Sequence, residues 1–227
     1  MSRPRLALVE LPGAEGSYGA RLIAQLAEAP THTIETITAS AADVLLVSVH
    51  FPGQIIHLRR LFRNLRVNPN PTVRAGKPYI VAGGYGCNNP EPMLTVADAV
   101  VVGDGEPYAG ALRNGADPRT GECDALPGVV LHKDCGENRN WGTREDRKLI
   151  KAGDSGDLAG EVVTCRFDGS DHLPTVELAR GCRTKCAFCA VGSTKRFREL
   201  AKEDAEQAYK QAKRLFAADL GSLSYFA

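Results

Sequence analysis

The sequence predicts an α/β protein whose N-terminal part is an open, doubly wound parallel sheet. Short continuous apolar runs alternate with segments in which apolar residues recur at helical spacing. Glycine-rich loops follow several of the apolar runs, as is common where a strand buried on both faces leads into a helix. Strand, loop and helix repeated in this order indicate parallel strands joined by crossover helices.

The expected elements follow from these runs. The strands are Leu6–Leu11, Thr33–Thr38, Ala42–Val49, Pro78–Ala82 and Ala99–Val102, and the helices are Tyr18–Ala29, Gln54–Val67, Met93–Ala97 and one starting with Pro107–Leu112. Ligands of such sheets bind outside the carboxyl ends of the strands. The loops expected around a site are therefore Pro12–Gly19, Val49–Gly53, Gly83–Asn88 and Gly103–Pro107. The alternative is that their glycines only make tight turns.

The regular pattern stops after residue 115. Residues 116–172 are dense in glycine, asparagine and charged residues, which is typical of a connector. Within it, Val129–His132 and Glu161–Phe167 are expected strands and candidates for a hairpin. The predicted organisation is a sheet domain over 1–115, a connector over 116–172, and a second domain over 173–227.

Composition excludes few functions. The chain carries 28 Lys and Arg against 27 Asp and Glu, a balance that argues neither for nor against a nucleic-acid partner. Ten basic residues against four acidic ones between Arg180 and Arg214 favour a solvated helix face, because no nucleic-acid module accompanies them. No apolar run has the roughly 18 residues of a membrane span, and no signal peptide is evident. A cytoplasmic location without membrane attachment is the default expectation.

Seven cysteines, an odd number, are present, and the last three are closely spaced. This pattern argues against a disulfide framework. The four scattered ones (Cys87, Cys123, Cys135 and Cys165) are expected to be small core or loop residues. The five histidines, His50 among them, show no ligand spacing with one another.

The clustered cysteines Cys182, Cys186 and Cys189 form a C-x3-C-x2-C motif after the expected strand Thr175–Arg180. Three thiolates on one short loop can hold three corners of a [4Fe–4S] cubane and leave one iron without a protein ligand. The alternative, a structural zinc site, more often pairs two cysteines with two ligands from a second element. No suitable second pair is visible in the sequence.

The segment Gly181–Cys189, with an aromatic residue before its last cysteine, resembles the signature loop of the radical S-adenosylmethionine (SAM) superfamily. The resemblance implies a [4Fe–4S] cluster on the three cysteines, SAM bound at the open iron, and Phe188 near the SAM adenine. It implies reductive cleavage of SAM to a 5′-deoxyadenosyl radical. It also implies a partial (β/α)6 TIM-like barrel whose first β-α-β unit is Thr175–Arg180, the helix Glu199–Ala218 and the strand Ser222–Ala227.

The N-terminal half resembles the cobalamin (B12)-binding-like domain that precedes many radical SAM barrels. The resemblance rests on Ile80–Gly84, Pro90–Pro92 and the run Ala97–Glu106, with Leu126–Val129 similar to the element between the two domains. It implies cobalamin near Gly83, Gly84, Gly103 and Gly105, and methyl transfer as one reaction outcome. The Asp-x-His-x-x-Gly motif that supplies a cobalt ligand is absent, so the alternative is a purely structural fold.

The chain ends inside the expected second barrel strand. We therefore expect a second polypeptide or a further C-terminal segment to complete the barrel, and a reductant protein such as flavodoxin or ferredoxin to supply the electron. Two alternatives remain open: a non-catalytic iron–sulfur subunit, and a methylthiotransferase-like enzyme, which would need more cluster-binding cysteines in the N-terminal domain. The motif assigns neither a substrate nor a catalytic residue.

Overall fold

The computed structural model describes residues 3–38, 41–74, 77–134, 152–167, 171–184, 186, 189 and 196–217. Its main element is a six-stranded sheet. The strands are β1 (Leu6–Glu10), β2 (Thr31–Thr33), β3 (Val44–Ser48), β4 (Tyr79–Gly83), β5 (Ala99–Val101) and β6 (Val129–Leu131). They lie in the order β2-β1-β3-β4-β5-β6. β1 to β5 run parallel and β6 is antiparallel to β5, which confirms the predicted α/β sheet.

Helices cover both faces of the sheet. They are α1 (Tyr18–Ala27), α2 (Ile55–Leu65), α3 (Pro71–Arg74), α4 (Glu91–Leu94) and α5 (Glu106–Arg113). Successive strand residues point to opposite faces, so Leu8 packs in the core beside Leu112 of α5. Val9 packs in the other core beside Leu61 of α2. The sheet is therefore doubly wound, as the alternation of apolar runs and helical segments predicts.

The second strand is shorter and earlier than expected. The prediction of Thr33–Thr38 is wrong, because β2 ends at Thr33 and a turn follows. The hydroxyl of Thr36 accepts a hydrogen bond from the Thr33 amide at 2.9 Å. Such side-chain to backbone bonds compete with strand pairing. Ile34 and Ile37 are buried within the turn, so their apolar character reflects core packing rather than a longer strand.

The hairpin expected between 129–132 and 161–167 is wrong. β6 instead extends the main sheet, with Val130 opposite Val100. The later segment forms β7 (Val162–Phe167), which pairs antiparallel with β8 (Asp171–Val176). Val163 of β7 packs beside Leu22 of α1. The two expected strands therefore pair with different partners, which local sequence does not specify.

Two short strands and a helix complete the described structure. β9 (Ala179–Arg180) pairs antiparallel with β10 (Arg198–Glu199), and α6 (Lys202–Ala217) follows. α6 packs through Ala208 and Ala212 against a small core that includes Val176. The expected strand Thr175–Arg180 is divided between β8 and β9, and the helix expected from Glu199 begins at Lys202, because Glu199 belongs to β10. Within the described residues β8 has an antiparallel neighbour and no parallel one, and the expected strand Ser222–Ala227 lies outside them.

A buried ion pair fixes the end of the sheet opposite the glycine loops. The guanidinium of Arg74 lies 2.6 Å from the Asp98 carboxylate. Its remaining donors bond to four backbone carbonyls, those of Asn68, Pro69, Pro78 and Val96. Asp98 also accepts a hydrogen bond from the Ile80 amide at 2.7 Å. The pair thus joins α3 to β4 and to the start of β5.

No helix among the described ranges is both long and apolar enough to cross a membrane.

Candidate functional site

The carboxyl ends of β1, β3, β4 and β5 meet at one edge of the sheet. The strand order is that of flavodoxin-like folds, in which the direction of winding reverses between the first and third strands and leaves a crevice there. Gln54 ties two of the loops at this crevice together. Its Nε2 donates to the carbonyl of Pro12 at 2.9 Å, and its Oε1 accepts from the His50 amide at 2.6 Å. These loops are among those the sequence predicts to surround a site.

A cavity of about 300 Å³ lies under these loops. Its floor is apolar, formed by Leu8, Leu46, Val81 and Val101, and α1 contributes Ile23. All four glycines proposed for cobalamin line it: Gly83, Gly84, Gly103 and Gly105. Pockets of this size with an apolar lining and a few polar groups are typical of small-molecule sites.

The four glycines are not equivalent. A Cβ at Gly84 would overlap the Val49 carbonyl, and one at Gly103 would overlap the Gly153 backbone. Backbone packing alone therefore accounts for these two glycines. Gly83 differs, because a Cβ there would make only ordinary contacts with Val101, at 3.8 Å and 3.9 Å. A larger side chain at position 83 would fill space at the cavity.

His50 is a polar group at this cavity that sequence spacing did not single out. It follows β3, lines the cavity, and its buried Nδ1 has no hydrogen-bond partner among the described residues. Burial lowers the pKa of His50, so the imidazole is neutral near pH 7. The signal that could have found it is its position directly after an apolar strand, where polar residues face the crevice.

The cysteine loop begins at the short β9–β10 ladder. Arg180 lies opposite Arg198 in this ladder. Gly181, which follows Arg180, has φ of +85°, and a Cβ there would lie 2.5 Å from the Arg196 carbonyl oxygen. Next to the ladder, the Leu200 amide donates a hydrogen bond to the Leu178 carbonyl at 2.8 Å. This bond also holds the two ends of the loop together.

Cys182, Cys186 and Cys189 are each partly exposed on this loop. The Thr184 amide donates to the Cys182 Sγ at 3.4 Å, and the Cys186 amide donates to the Thr184 carbonyl at 3.0 Å. The Cys189 amide in turn donates to the Cys186 carbonyl at 3.0 Å. These bonds connect neighbouring described residues of the loop. Phe188 lies outside the described residues.

The donor set of this loop is three thiols, and the chemistry of these donors favours a multi-iron cluster over a single ion. A tetrahedral zinc ion needs ligand atoms about 2.0–2.3 Å from one centre. The cysteines of a cubane cluster are instead bonded to different irons. Three partly exposed thiols on one loop therefore fit three corners of a [4Fe–4S] cluster.

The other described cysteines are core residues, as the sequence predicts. Cys87, Cys123 and Cys165 are buried. Burial raises the pKa of the Cys87 thiol to about 12 and that of the Cys123 thiol to about 11. They therefore remain protonated at neutral pH, whereas a metal ligand must be a thiolate. Cys135 lies outside the described residues.

A buried network of charges connects the cysteine loop to the edge of the sheet. Arg180 pairs with Asp104 at 3.1 Å and also with Glu106 and Glu177. Arg198 pairs with the same Asp104 carboxylate at 2.8 Å. Burial alone would lower the pKa of Arg180, but the hydrogen bond and charge of Glu177, with the charges of Glu106 and Asp104, raise it overall. Arg180 is therefore charged.

Sequence reasoning missed this network. It placed Gly103–Pro107 among the loops around a ligand site and counted the arginines as part of a basic segment. The available signal was that arginines flank the cysteine motif on both sides, with Arg180 before it and Arg196 and Arg198 after it.

An α/β sheet with a ligand-sized cavity at its switch point, joined to a loop of three thiols, defines the class as an α/β protein with a candidate iron–sulfur site. Comparison with known families makes this more specific. Residues 21–116 match the family described as radical SAM proteins, N-terminal. The match runs from α1 through α5 and supports the radical SAM superfamily for this chain. It does not include the cysteine loop. No curated protein matches the chain.

Proposed function

We propose that this chain carries the SAM-binding iron–sulfur loop of a radical SAM enzyme. The observation that carries the proposal is the C-x3-C-x2-C loop, whose two ends are held by a strand ladder and which follows a sheet matching the N-terminal region of radical SAM proteins. When bound, a [4Fe–4S] cluster with one open iron supplies the electron that cleaves SAM to methionine and a 5′-deoxyadenosyl radical.

The chain's own residues have defined parts in this proposal. Cys182, Cys186 and Cys189 would hold three irons as thiolates, and the resemblance to radical SAM proteins assigns Phe188 to the adenine of SAM. The left-handed conformation at Gly181 turns the chain from β9 into the loop. Remaining barrel strands, supplied by a second polypeptide or a further segment, would enclose the substrate, and a flavodoxin- or ferredoxin-type protein would deliver the electron.

Anaerobic reconstitution with iron and sulfide tests this proposal. The wild-type chain is expected to bind about four irons and, with SAM and a reductant, to release 5′-deoxyadenosine. Cys186→Ala removes one thiolate and is expected to lose the cluster absorbance and most of the iron. Cys165→Ala is the matched control, because it removes a buried thiol outside the loop, and it is expected to keep both.

Each outcome separates the hypotheses. A Cys186→Ala chain that keeps full iron and SAM cleavage would overturn the cluster assignment. A stable cluster without 5′-deoxyadenosine supports the non-catalytic iron–sulfur subunit instead. The methylthiotransferase-like alternative requires a second cluster in the N-terminal domain. The burial of Cys87 and Cys123 argues against it, and a second cluster in the iron count would restore it.

Cobalamin binding is a second candidate function, favoured by the cavity at the glycine loops. The cavity of about 300 Å³ has room for the benzimidazole end of cobalamin, while the much larger corrin ring would have to lie outside it. The loop after β1 contains no histidine, so a cobalt ligand is not provided there. This part of the proposal therefore depends on the cavity alone.

Equilibrium dialysis against hydroxocobalamin tests it. We expect binding by the wild-type chain and at least about tenfold weaker binding by Gly83→Val, since an added side chain would occupy the cavity. Gly110→Val is the control, because an added Cβ at Gly110 meets nothing within 4 Å and the residue does not line the cavity. Absence of binding by the wild-type chain would remove cobalamin and leave the iron–sulfur proposal unchanged.

A further inference from the structure

The cysteine loop is tied to the N-terminal sheet by one buried carboxylate. Asp104 follows β5, and only 1% of its side chain is exposed. Its Oδ1 lies 3.1 Å from Arg180, two residues before Cys182, and its Oδ2 lies 2.8 Å from Arg198, where the loop returns. One carboxylate thus contacts both ends of the loop.

The ladder that closes the loop is too short to be stable by itself. β9 and β10 contribute two residues each, whereas an isolated two-stranded hairpin is marginal even when longer. Arg180 and Arg198 are paired across this ladder, so two positive charges face each other at its end. Like charges directly opposite each other destabilise a strand pair. The carboxylate between them reverses that effect.

Asp104 is itself held in place from the other side. The amide and the hydroxyl of Ser155 both donate to its Oδ2 at 3.0 Å, and its own amide donates to the Gly153 carbonyl at 3.0 Å. Arg198 also donates to the Gly156 carbonyl at 2.6 Å. The carboxylate therefore has a fixed position before the loop contacts it.

We propose that Asp104, Arg180 and Arg198, here named the Asp104 clamp, position the cysteine loop so that its three thiols can bind a cluster. Asp104 acts as a positioning residue, because its described contacts are with the two arginines, Gly153 and Ser155. The statement about cluster binding rests on the proposed function. The statement about loop position does not, because it concerns the metal-free chain.

Amide hydrogen exchange of the metal-free chain tests the clamp directly. Asp104→Asn removes the charge that holds both arginines while keeping the size of the side chain. We expect the Leu200 amide and the 196–201 segment to exchange about tenfold faster or more, since the ladder would open locally. In the reconstituted chain, iron affinity measured by chelator competition should fall about tenfold, as for other residues that support metal ligands.

Asp98→Asn is the matched control. Asp98 and Asp104 precede and follow the same strand, and each pairs with a buried arginine. Asp98 contacts Arg74 rather than the loop, so its loss should leave exchange at 196–201 and iron affinity unchanged. An equal increase of exchange in both variants, or none in Asp104→Asn, would overturn the clamp.

Arg198→Met provides a second test where Asp104→Asn fails to fold. Methionine is a long side chain without charge or donors, so it loses the contacts that the Arg198 Nη1 makes with Asp104, Asp154 and the Gly156 carbonyl. We expect faster amide exchange at 196–201 and unchanged amide exchange in the N-terminal sheet. Wild-type exchange in this variant contradicts the clamp. If the exchange results contradict the clamp but the wild-type chain still binds a cluster, the proposed function stands. If the exchange results agree with the clamp but the wild-type chain binds no cluster, only the proposed function is overturned.

Discussion

Gly181 combines a positive φ with a close approach of backbone, as Gly84, Gly103 and Gly128 do and Gly115 does not. Its φ of +85° disfavours any residue with a Cβ, and its Cβ position lies against the Arg196 carbonyl. Gly115 has φ of +93° with nothing within 4 Å of a Cβ. A substitution at Gly115 therefore introduces only conformational strain, whereas one at Gly181 also introduces a backbone overlap.

Gly181→Ala is expected to lower the free energy of unfolding by more than Gly115→Ala does. Left-handed strain costs about 1–2 kcal/mol in both variants, and only Gly181→Ala must also displace the backbone carbonyl of Arg196. Urea denaturation and iron content after reconstitution check this. Equal stability and equal iron in the two variants would contradict the role given to Gly181.

Asp43 provides a test of pH dependence. Its hydrogen bond with Arg5 lowers the pKa of the Asp43 carboxyl to about 2, below the unfolded value of about 3.9. The stabilisation is therefore present above about pH 4 and is lost as the pH falls towards 2. The pair is at the surface, so it contributes about 0.2–1 kcal/mol.

Asp43→Asn is expected to remove that part of the acid sensitivity. The difference in urea midpoint between wild type and variant should be small but measurable at pH 6 and should shrink as the pH approaches 2. A difference that grows as the pH falls would show that the carboxyl does not have the lowered pKa.

Thiol reactivity distinguishes the two groups of cysteines. Iodoacetamide at pH 8 is expected to modify Cys182, Cys186 and Cys189 in the metal-free folded chain and to spare Cys87, Cys123 and Cys165. The latter three are buried with raised pKa values, and the thiolate is the reactive form. Peptide mass spectrometry assigns each site, and modification of Cys87 before the loop cysteines would contradict the structure.

At the scale of elements, sequence predicts what depends on local pattern. β1, β3, β4 and β5 coincide closely with their apolar runs because buried parallel strands must be continuously apolar. β2 was misplaced because the Thr36 hydroxyl forms a turn. The partners of β6 and β7 were missed because they depend on distant parts of the chain. β6 pairs with β5, and β7 packs against α1.

The candidate site divides in the same way. The cysteine motif is local, since its spacing within one loop carries the chemistry. The cavity was located through its loops, because parallel strands bring their carboxyl ends together. The Asp104 clamp was not found, because Asp104 lies more than 70 residues before Arg180 and only the folded chain joins them.

The Arg74–Asp98 pair is expected to dominate stability at the far end of β5. Asp98→Asn leaves a buried guanidinium without its carboxylate, which costs about 3 kcal/mol. Chemical denaturation measures this, with Asp43→Asn as the exposed-pair control at well under half that cost. A loss below about 1 kcal/mol would show that the four carbonyl acceptors suffice for Arg74.

At the scale of the whole molecule, the sheet and the later strands share buried surface. Leu22 of α1 packs with Val163 and Cys165 of β7, and the Tyr18 hydroxyl donates to the Glu161 carbonyl at 2.9 Å. The two parts of the chain should therefore unfold together.

Leu22→Ala is expected to uncouple them. In the wild-type chain, urea unfolding followed by far-ultraviolet circular dichroism should coincide with exposure of Cys165 to alkylation. In Leu22→Ala, Cys165 should become reactive at lower urea, because a cavity costing about 2–5 kcal/mol opens at this contact. Leu58→Ala, equally buried but in the opposite core, should shift both transitions together. Coincident transitions in Leu22→Ala would refute the coupling.

The position of Asp104 before the cysteines also sets an order of events during synthesis. Ribosomes add about 5–20 residues per second, so Asp104 leaves the ribosome roughly 5–20 s before Arg198. Strands β1 to β5 and the helices between them are complete in sequence by then. The Asp104 carboxylate can thus be part of a folded sheet while the cysteine residues are still being synthesised. The two ends of the cysteine loop can then bind to a sheet that has already folded.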